Sequence, residues 1–317
     1  MSFLIFLKLE IRRAGGLSHV QSNNAIWKSI GSRPPLLFPA DECWAKKPLS
    51  LDDFISDLLH DFSKTTSIFC RGSPREPIAD SPIYTVLKQL KQPDMASALY
   101  ATNMTCQSLQ IKIPERFQGG IYESTHEITT NITPQFSGVD LHVDSGSHGI
   151  TLLYGGCVKL WALYPLTRKN YCQLARAYQS NSMFIDLQGV LEGGEFYIQN
   201  ELLALYLPPG CIHSTITLRG GLAPGITFTT AECLGPSALI WDLDYKTVKT
   251  DKYDCVCFVR AVAIIMRSGD QAKKQEALSK LCDRYKKISK LRPDGWSEVR
   301  KYLPKQCSQC GKQWGKH

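Results

Sequence analysis

From Glu127 to Ala231 the chain is cut into short β-like runs that leave no space for a long helical period. Residues 127–133, 139–144, 149–154, 158–164, 182–187, 195–199, 202–207, 212–218 and 225–231 are rich in β-branched and aromatic residues, as strands require. Turn residues separate them at Gly155-Gly156, Gly193-Gly194, Pro208-Pro209-Gly210 and Gly220-Gly221. A single helical insert, Arg168 to Gln179, interrupts the series. About eight antiparallel strands with this punctuation predict a jelly roll. The fold class expected is mainly β with flanking helices (α+β), with a double-stranded β-helix at its core.

Two pieces of this β region carry chemistry. Leu141-His142-Val143-Asp144 places an imidazole and a carboxylate two residues apart, on one face of an extended strand. His213, 69 positions after Asp144, follows the turn Pro208-Pro209-Gly210 and begins another strand. Two histidines and one carboxylate can hold one Fe(II) and leave coordination positions open, as an oxygen-activating site needs. A lone HxD pattern is common by chance. Here it is joined by Lys159, which stands in the otherwise apolar strand Val158-Lys159-Leu160-Trp161-Ala162-Leu163-Tyr164. A buried ammonium needs a partner, and a bound dicarboxylate would supply one. Asp140 precedes the motif at once.

Together these residues resemble the JmjC family of Fe(II)- and 2-oxoglutarate-dependent oxygenases, over roughly residues 48 to 240. The resemblance implies a cupin-like jelly roll with iron on His142, Asp144 and His213. It also implies a lysine about 17 residues after the first histidine that pairs with the far carboxylate of 2-oxoglutarate, and that position is Lys159. Many members carry a threonine three residues before the first histidine; this chain has Val139, which cannot donate a hydrogen bond. Thr151, eight residues before Lys159, is the substitute expected to help hold 2-oxoglutarate. The implied activity is hydroxylation of a protein or peptide substrate, or demethylation where the hydroxylated carbon is an N-methyl group, histone methyl-lysine included. A non-catalytic cupin-fold scaffold is the competing reading, and Val139 is the feature that keeps it open. A small-molecule or tRNA oxygenase of the same chemistry is the other.

The remaining sequence sets the context. No apolar run approaches the ~20 residues of a membrane span. Ser2 to Leu7 lacks the order of a signal peptide and is expected to be an appended strand or an uncertain start of the chain. Twelve scattered cysteines, several in apolar patterns (Cys157, Cys211, Cys233), suit a reducing interior, nuclear or cytoplasmic. The net charge of +8 is concentrated at one end: residues 267–317 hold 14 Lys or Arg against 5 Asp or Glu. That block could contact chromatin or nucleic acid, or be a solvated helix face.

Four regions are expected. Residues 1–47 form an N-terminal extension, read as loop. Residues 48–245 form the oxygenase domain, led in by a helix from Leu51, a strand near Ile68 and a helix near Tyr84. Residues 246–306 form a helical region. Its first helix, Cys255 to Met266, is apolar nearly all round and so must be buried against the barrel or at a dimer contact. Residues 307–317 form a basic tail with Cys307 and Cys310 in a CxxC pattern. That pair supplies two of the four ligands of a structural zinc, which Cys255 and Cys257, or His317, could complete. Two reduced cysteines in a tail is the plain alternative. His148 is expected at the rim of the site and His126 in a structural or exposed position. Trp161 and Tyr164 are expected in the core. No GxGxxG or P-loop pattern supports nucleotide binding.

Overall fold

The structure, a computed structural model, describes residues 2–14, 16–17, 25–30, 33–47, 50–60, 67–70, 83–105, 109–118, 127–144, 146–177, 182–247, 255–305 and 314. The fold is mixed α+β. Thirteen strands follow one another among these residues: β1 (Leu36–Pro39), β2 (Trp44–Lys46), β3 (Ser67–Cys70), β4 (Leu99–Thr105), β5 (Gln110–Ile111), β6 (Glu127–Thr133), β7 (Gly138–His142), β8 (His148–Thr151), β9 (Val158–Tyr164), β10 (Glu195–Gln199), β11 (Leu203–Leu207), β12 (Ile212–Arg219) and β13 (Gly221–Phe228). The helices are α1 (Ser2–Arg13), α2 (Ala25–Ser29), α3 (Leu51–His60), α4 (Ile83–Lys91), α5 (Arg168–Ala177), α6 (Met183–Asp186), α7 (Leu234–Thr247), α8 (Val256–Arg267), α9 (Gln271–Cys282), α10 (Tyr285–Leu291) and α11 (Trp296–Tyr302).

Two antiparallel sheets carry the site. One has seven strands in the order β1-β11-β8-β13-β6-β4-β3, the other four in the order β10-β9-β12-β7. From β6 to β9 successive strands alternate between the two sheets, and from β10 to β13 they alternate again. No pairing joins the two sheets into a closed barrel among the described residues. Strand β9 is buried along nearly its whole length. Its period of two sends Leu160, Ala162 and Tyr164 into one cluster with α5 and α6, and Trp161 and Leu163 into another with Trp27, Leu37 and Leu205. Lys159 shares the parity of Trp161.

The lead-in elements sit where the amphipathic patterns put them. In α3, Phe54 and Leu58 are buried, and Val86 of α4 joins them against the large sheet. Ser50 caps α3 by accepting from the Asp53 backbone N–H at 3.1 Å. In α8 every residue from Cys257 to Met266 except Arg260 is buried. Among the described residues its cover comes chiefly from α7, α9 and α11. Asp270 caps α9 through the Lys273 N–H at 3.0 Å.

Four expectations are corrected. Residues 182–187 are not a strand: Met183 to Asp186 form α6, because the Asp140 carboxylate takes the N–H groups of Met183 and Phe184 at 2.7 and 2.9 Å. A four-residue apolar run has no period from which to read this. Ser2 to Leu7 belong to a helix, whose later turn buries Glu10 against the Tyr164 hydroxyl. The N-terminal 47 residues are not all loop. Strand β1 pairs with β11 at the edge of the large sheet, and Trp27 is 1% exposed, its Nε1 donating to Gly193 O at 3.0 Å. Strand β13 begins at Gly221, earlier than the turn residues suggested. Among the described residues no helix is long and apolar enough to cross a membrane.

Candidate metal centre

Strands β7 and β12 run antiparallel, and their register sets His142 directly opposite His213. Residues opposed in this way bring their side chains together on one face. The two imidazole centroids are 4.1 Å apart. Strand β7 ends at His142, so Asp144 is not presented by the strand itself as the HxD spacing suggested. It is carried by the following turn, in which Gly146 N donates to Asp144 O at 2.7 Å. Gly146 has φ +87°, and a Cβ there would lie 2.8 Å from Ser237 Cα. Only glycine fits this turn, which passes close to α7 at Ser237. His142 Nε2 lies 3.8 Å from Asp144 Oδ1, and His213 Nε2 lies 3.9 Å from Asp144 Oδ2.

Both rings are oriented the same way. His142 Nδ1 donates to Asp140 O at 2.8 Å, and His213 Nδ1 donates to Cys211 O at 2.9 Å. Each backbone carbonyl claims the Nδ1 proton, which leaves the Nε2 of each ring turned towards Asp144. This is the arrangement by which a protein readies a histidine as a metal ligand. Burial and the neighbouring His142 push the His213 pKa down to about 4, so its ring is neutral near pH 7. Among the described residues the ligand atoms of His142, Asp144 and His213 all lie within 4.8 Å of one another, and the group could hold a metal ion.

The triad opens into a cavity of about 540 Å³ between the two sheets. Lys159, Trp161 and Thr215 line it from the small sheet, and Thr129, Asn131, Thr151 and Thr227 from the large one. Lys159 is 3% exposed. Among the described residues no carboxylate pairs with its ammonium, which lies 5.8 Å from the Trp161 ring centroid. Desolvation lowers its pKa. The cavity therefore sets a desolvated lysine, with no carboxylate partner among the described residues, beside a candidate metal site. Thr151 lines the same cavity, and its carbonyl accepts from Gln199 Nε2.

Three contributors were missed from sequence. Thr215 pairs with Val139 across β12 and β7, so a hydroxyl stands beside the position where Val139 lacks one. Gln199 is fully buried and holds Trp161 Nε1 through its Oε1 at 2.9 Å. Asn131, on β6, carries its side chain to the cavity wall. An isolated Thr, Gln or Asn in a strand gives no signal of this kind.

Other candidates fall elsewhere. His148 is not at the rim: it is 3% exposed, bonded to Tyr206 Oη and Thr230 Oγ1 at 2.8 Å each and stacked on Phe228. Burial drives its pKa down to about 3. The unfolded chain binds a proton at His148 below about pH 6.5 while the folded chain does not, so stability must fall as the pH drops from about 6.5 towards 3. Each pH unit in that window is expected to cost about 1.4 kcal/mol. Urea titrations at pH 7 and pH 5 check this: His148→Gln should be less stable than wild type at pH 7 and show a shallower loss at pH 5. Tyr164 is buried in the core, as expected, whereas Trp161 is buried and also faces the cavity. Cys157, Cys211 and Cys233 are buried. Cys255 and Cys257 are buried in the helical region, with Thr229 Oγ1 against Cys257 Sγ at 3.8 Å. Cys307, Cys310, His317 and His126 lie outside the described residues.

Neither the protein-family models nor the curated proteins compared with this chain include a match to it.

Proposed function

We propose that the chain is an Fe(II)- and 2-oxoglutarate-dependent oxygenase of JmjC type that hydroxylates or demethylates a protein substrate. The observation that carries this reading is one cavity holding both a two-histidine, one-carboxylate group and an unpaired buried lysine. The two antiparallel sheets, with strands alternating between them, support a double-stranded β-helix as the architecture. The donor set fits Fe(II): imidazole and carboxylate ligands whose Nδ1 protons are taken by backbone carbonyls, and room for further ligands.

Bound there, Fe(II) would supply the oxidising chemistry by which O2 and 2-oxoglutarate hydroxylate a substrate C–H bond, one oxygen atom going to the hydroxyl and the other to succinate, with release of CO2. The chain's own residues bind and orient. His142, Asp144 and His213 would hold the metal. Lys159 would meet the far carboxylate of 2-oxoglutarate in a charge-assisted pair, strong because it is dry. Thr151 would offer it a hydroxyl, while the Thr215 hydroxyl donates to Leu160 O at 3.3 Å. Trp161 flanks the Lys159 ammonium, its ring centroid 5.8 Å from Nζ. The protein substrate would reach the site from the open side, where His142 and Asp144 keep 37% and 55% of their side chains exposed. Histone methyl-lysine is among the candidate substrates, and the basic helices α9 to α11 would favour an acidic or phosphate-bearing partner nearby.

Val139 favours a second reading, a scaffold with no turnover. Calorimetric titration of 2-oxoglutarate into Mn(II)-loaded protein separates the two. The oxygenase reading predicts binding that requires both Mn(II) and Lys159. Absence of binding under those conditions would favour the scaffold.

A further inference from the structure

We propose that Asp140 is a positioning residue that couples the cavity wall at Met183 to the metal ligand His142. The inference rests on reading the triad as a metal centre. Asp140 uses both ends of itself. Its backbone carbonyl accepts the Nδ1 proton of His142 at 2.8 Å. Its carboxylate accepts three backbone N–H groups: Oδ2 takes Met183 at 2.7 Å, and Oδ1 takes Phe184 at 2.9 Å and Leu141 at 2.8 Å.

Helix α6 has four residues, too few to hold itself. Its N-cap Ser182 makes no side-chain capping bond. The charge-assisted bonds to Asp140 are therefore what fixes its first turn. Met183 in that turn lines the cavity together with His142 and Asp144. Oδ1 also accepts from the Leu141 N–H, which belongs to the same planar peptide as the carbonyl that orients His142, so one carboxylate holds both that peptide and α6. The wall and the ligand are thus set by one residue, and this links two parts of the chain about 43 residues apart in sequence.

The consequence is thermodynamic. If the ordered α6 favours the binding orientation of His142, metal binding must in turn favour the ordered α6, since linkage is reciprocal. A residue that only capped α6 would change stability and leave metal affinity alone.

The test uses the full chain with Co(II) as probe. Amide exchange is followed at Met183 and Phe184 with and without Co(II), and Co(II) affinity is measured by calorimetry for wild type, Asp140→Ala and Asp140→Asn. The expected result is severalfold slower exchange at both amides when Co(II) is bound. Asp140→Ala should bind Co(II) about 10- to 100-fold more weakly, the usual range for residues that orient a ligand. Asp140→Asn, which keeps one acceptor oxygen, should lose less. Wild-type affinity in Asp140→Ala, or exchange at Met183 and Phe184 indifferent to Co(II), would overturn the proposal. Should Asp140→Ala fail to fold, the wild-type exchange measurement decides alone. Failure of the wild type to bind Co(II) would instead remove the metal centre on which the proposal rests.

Discussion

Lys159→Met should make the protein more stable and at the same time unable to hold 2-oxoglutarate. The two effects have opposite signs because the same charge causes both. Lys159 is 3% exposed, its pKa is lowered by desolvation, and among the described residues no carboxylate offsets it. Replacing an unpaired buried charge with an apolar side chain of similar length removes the desolvation cost, expected here at about 1–3 kcal/mol. The dicarboxylate that would offset the charge then has no partner. Loss of one member of a dry charge pair costs about 3 kcal/mol or more, at least a ~100-fold weaker affinity. Urea denaturation without ligand and calorimetry with 2-oxoglutarate read the two effects separately. A Lys159→Met variant that is less stable than wild type would mean that the ammonium is satisfied by the fold itself, and that Lys159 is structural.

Gln199→Leu should cost about 3–5 kcal/mol of stability and weaken 2-oxoglutarate binding as well. Gln199 is fully buried and makes three hydrogen bonds. Its Oε1 accepts from Trp161 Nε1 at 2.9 Å, and its Nε2 donates to Thr151 O at 2.7 Å and Leu203 O at 3.0 Å. These bonds tie β9 and β10 of the small sheet to β8 and β11 of the large one. Leucine fills similar volume but leaves one N–H and two carbonyls without this partner, each costing about 1–3 kcal/mol when buried. Trp161 also flanks the cavity, its ring centroid 6.1 Å from that of His213 and 5.8 Å from Lys159 Nζ. Freeing the indole therefore disturbs the floor on which 2-oxoglutarate would lie. Equal stability of Gln199→Leu and wild type in urea would show that the network contributes little.

The parts of this molecule that could be read from sequence are those whose cause is local. The strands from β6 to β13 announce themselves through period-two patterning and turn residues. Helix α8 does so through its apolar surface and α3 through Ser50 and the acidic first turn. His142, Asp144, His213 and Lys159 were singled out from residue type and spacing, and the fold brings all four to one cavity. What could not be read depends on partners far along the chain. His148 was placed at a rim because it lies just past the HxD motif with a Gly146 loop between, yet Tyr206 and Thr230, 58 and 82 residues away, close over it. Residues 183–186 are helical because a carboxylate on β7 caps them. Gln199 and Thr215 acquire roles only once the two sheets face each other. Val139 gave a warning of a missing hydroxyl, and the register of β7 with β12 puts Thr215 beside it.

Turnover of 2-oxoglutarate in this cavity, at a metal held by His142, Asp144 and His213, is what the proposed function requires. The direct measurement is succinate formed in air by protein reconstituted anaerobically with Fe(II) and 2-oxoglutarate, beside a His142→Ala/Asp144→Ala variant of matched folding. The account predicts succinate from the wild type, since such turnover proceeds slowly even without the true substrate, and none above background from the variant. Equal succinate from both, or none from a wild type that also fails to bind 2-oxoglutarate, would contradict it.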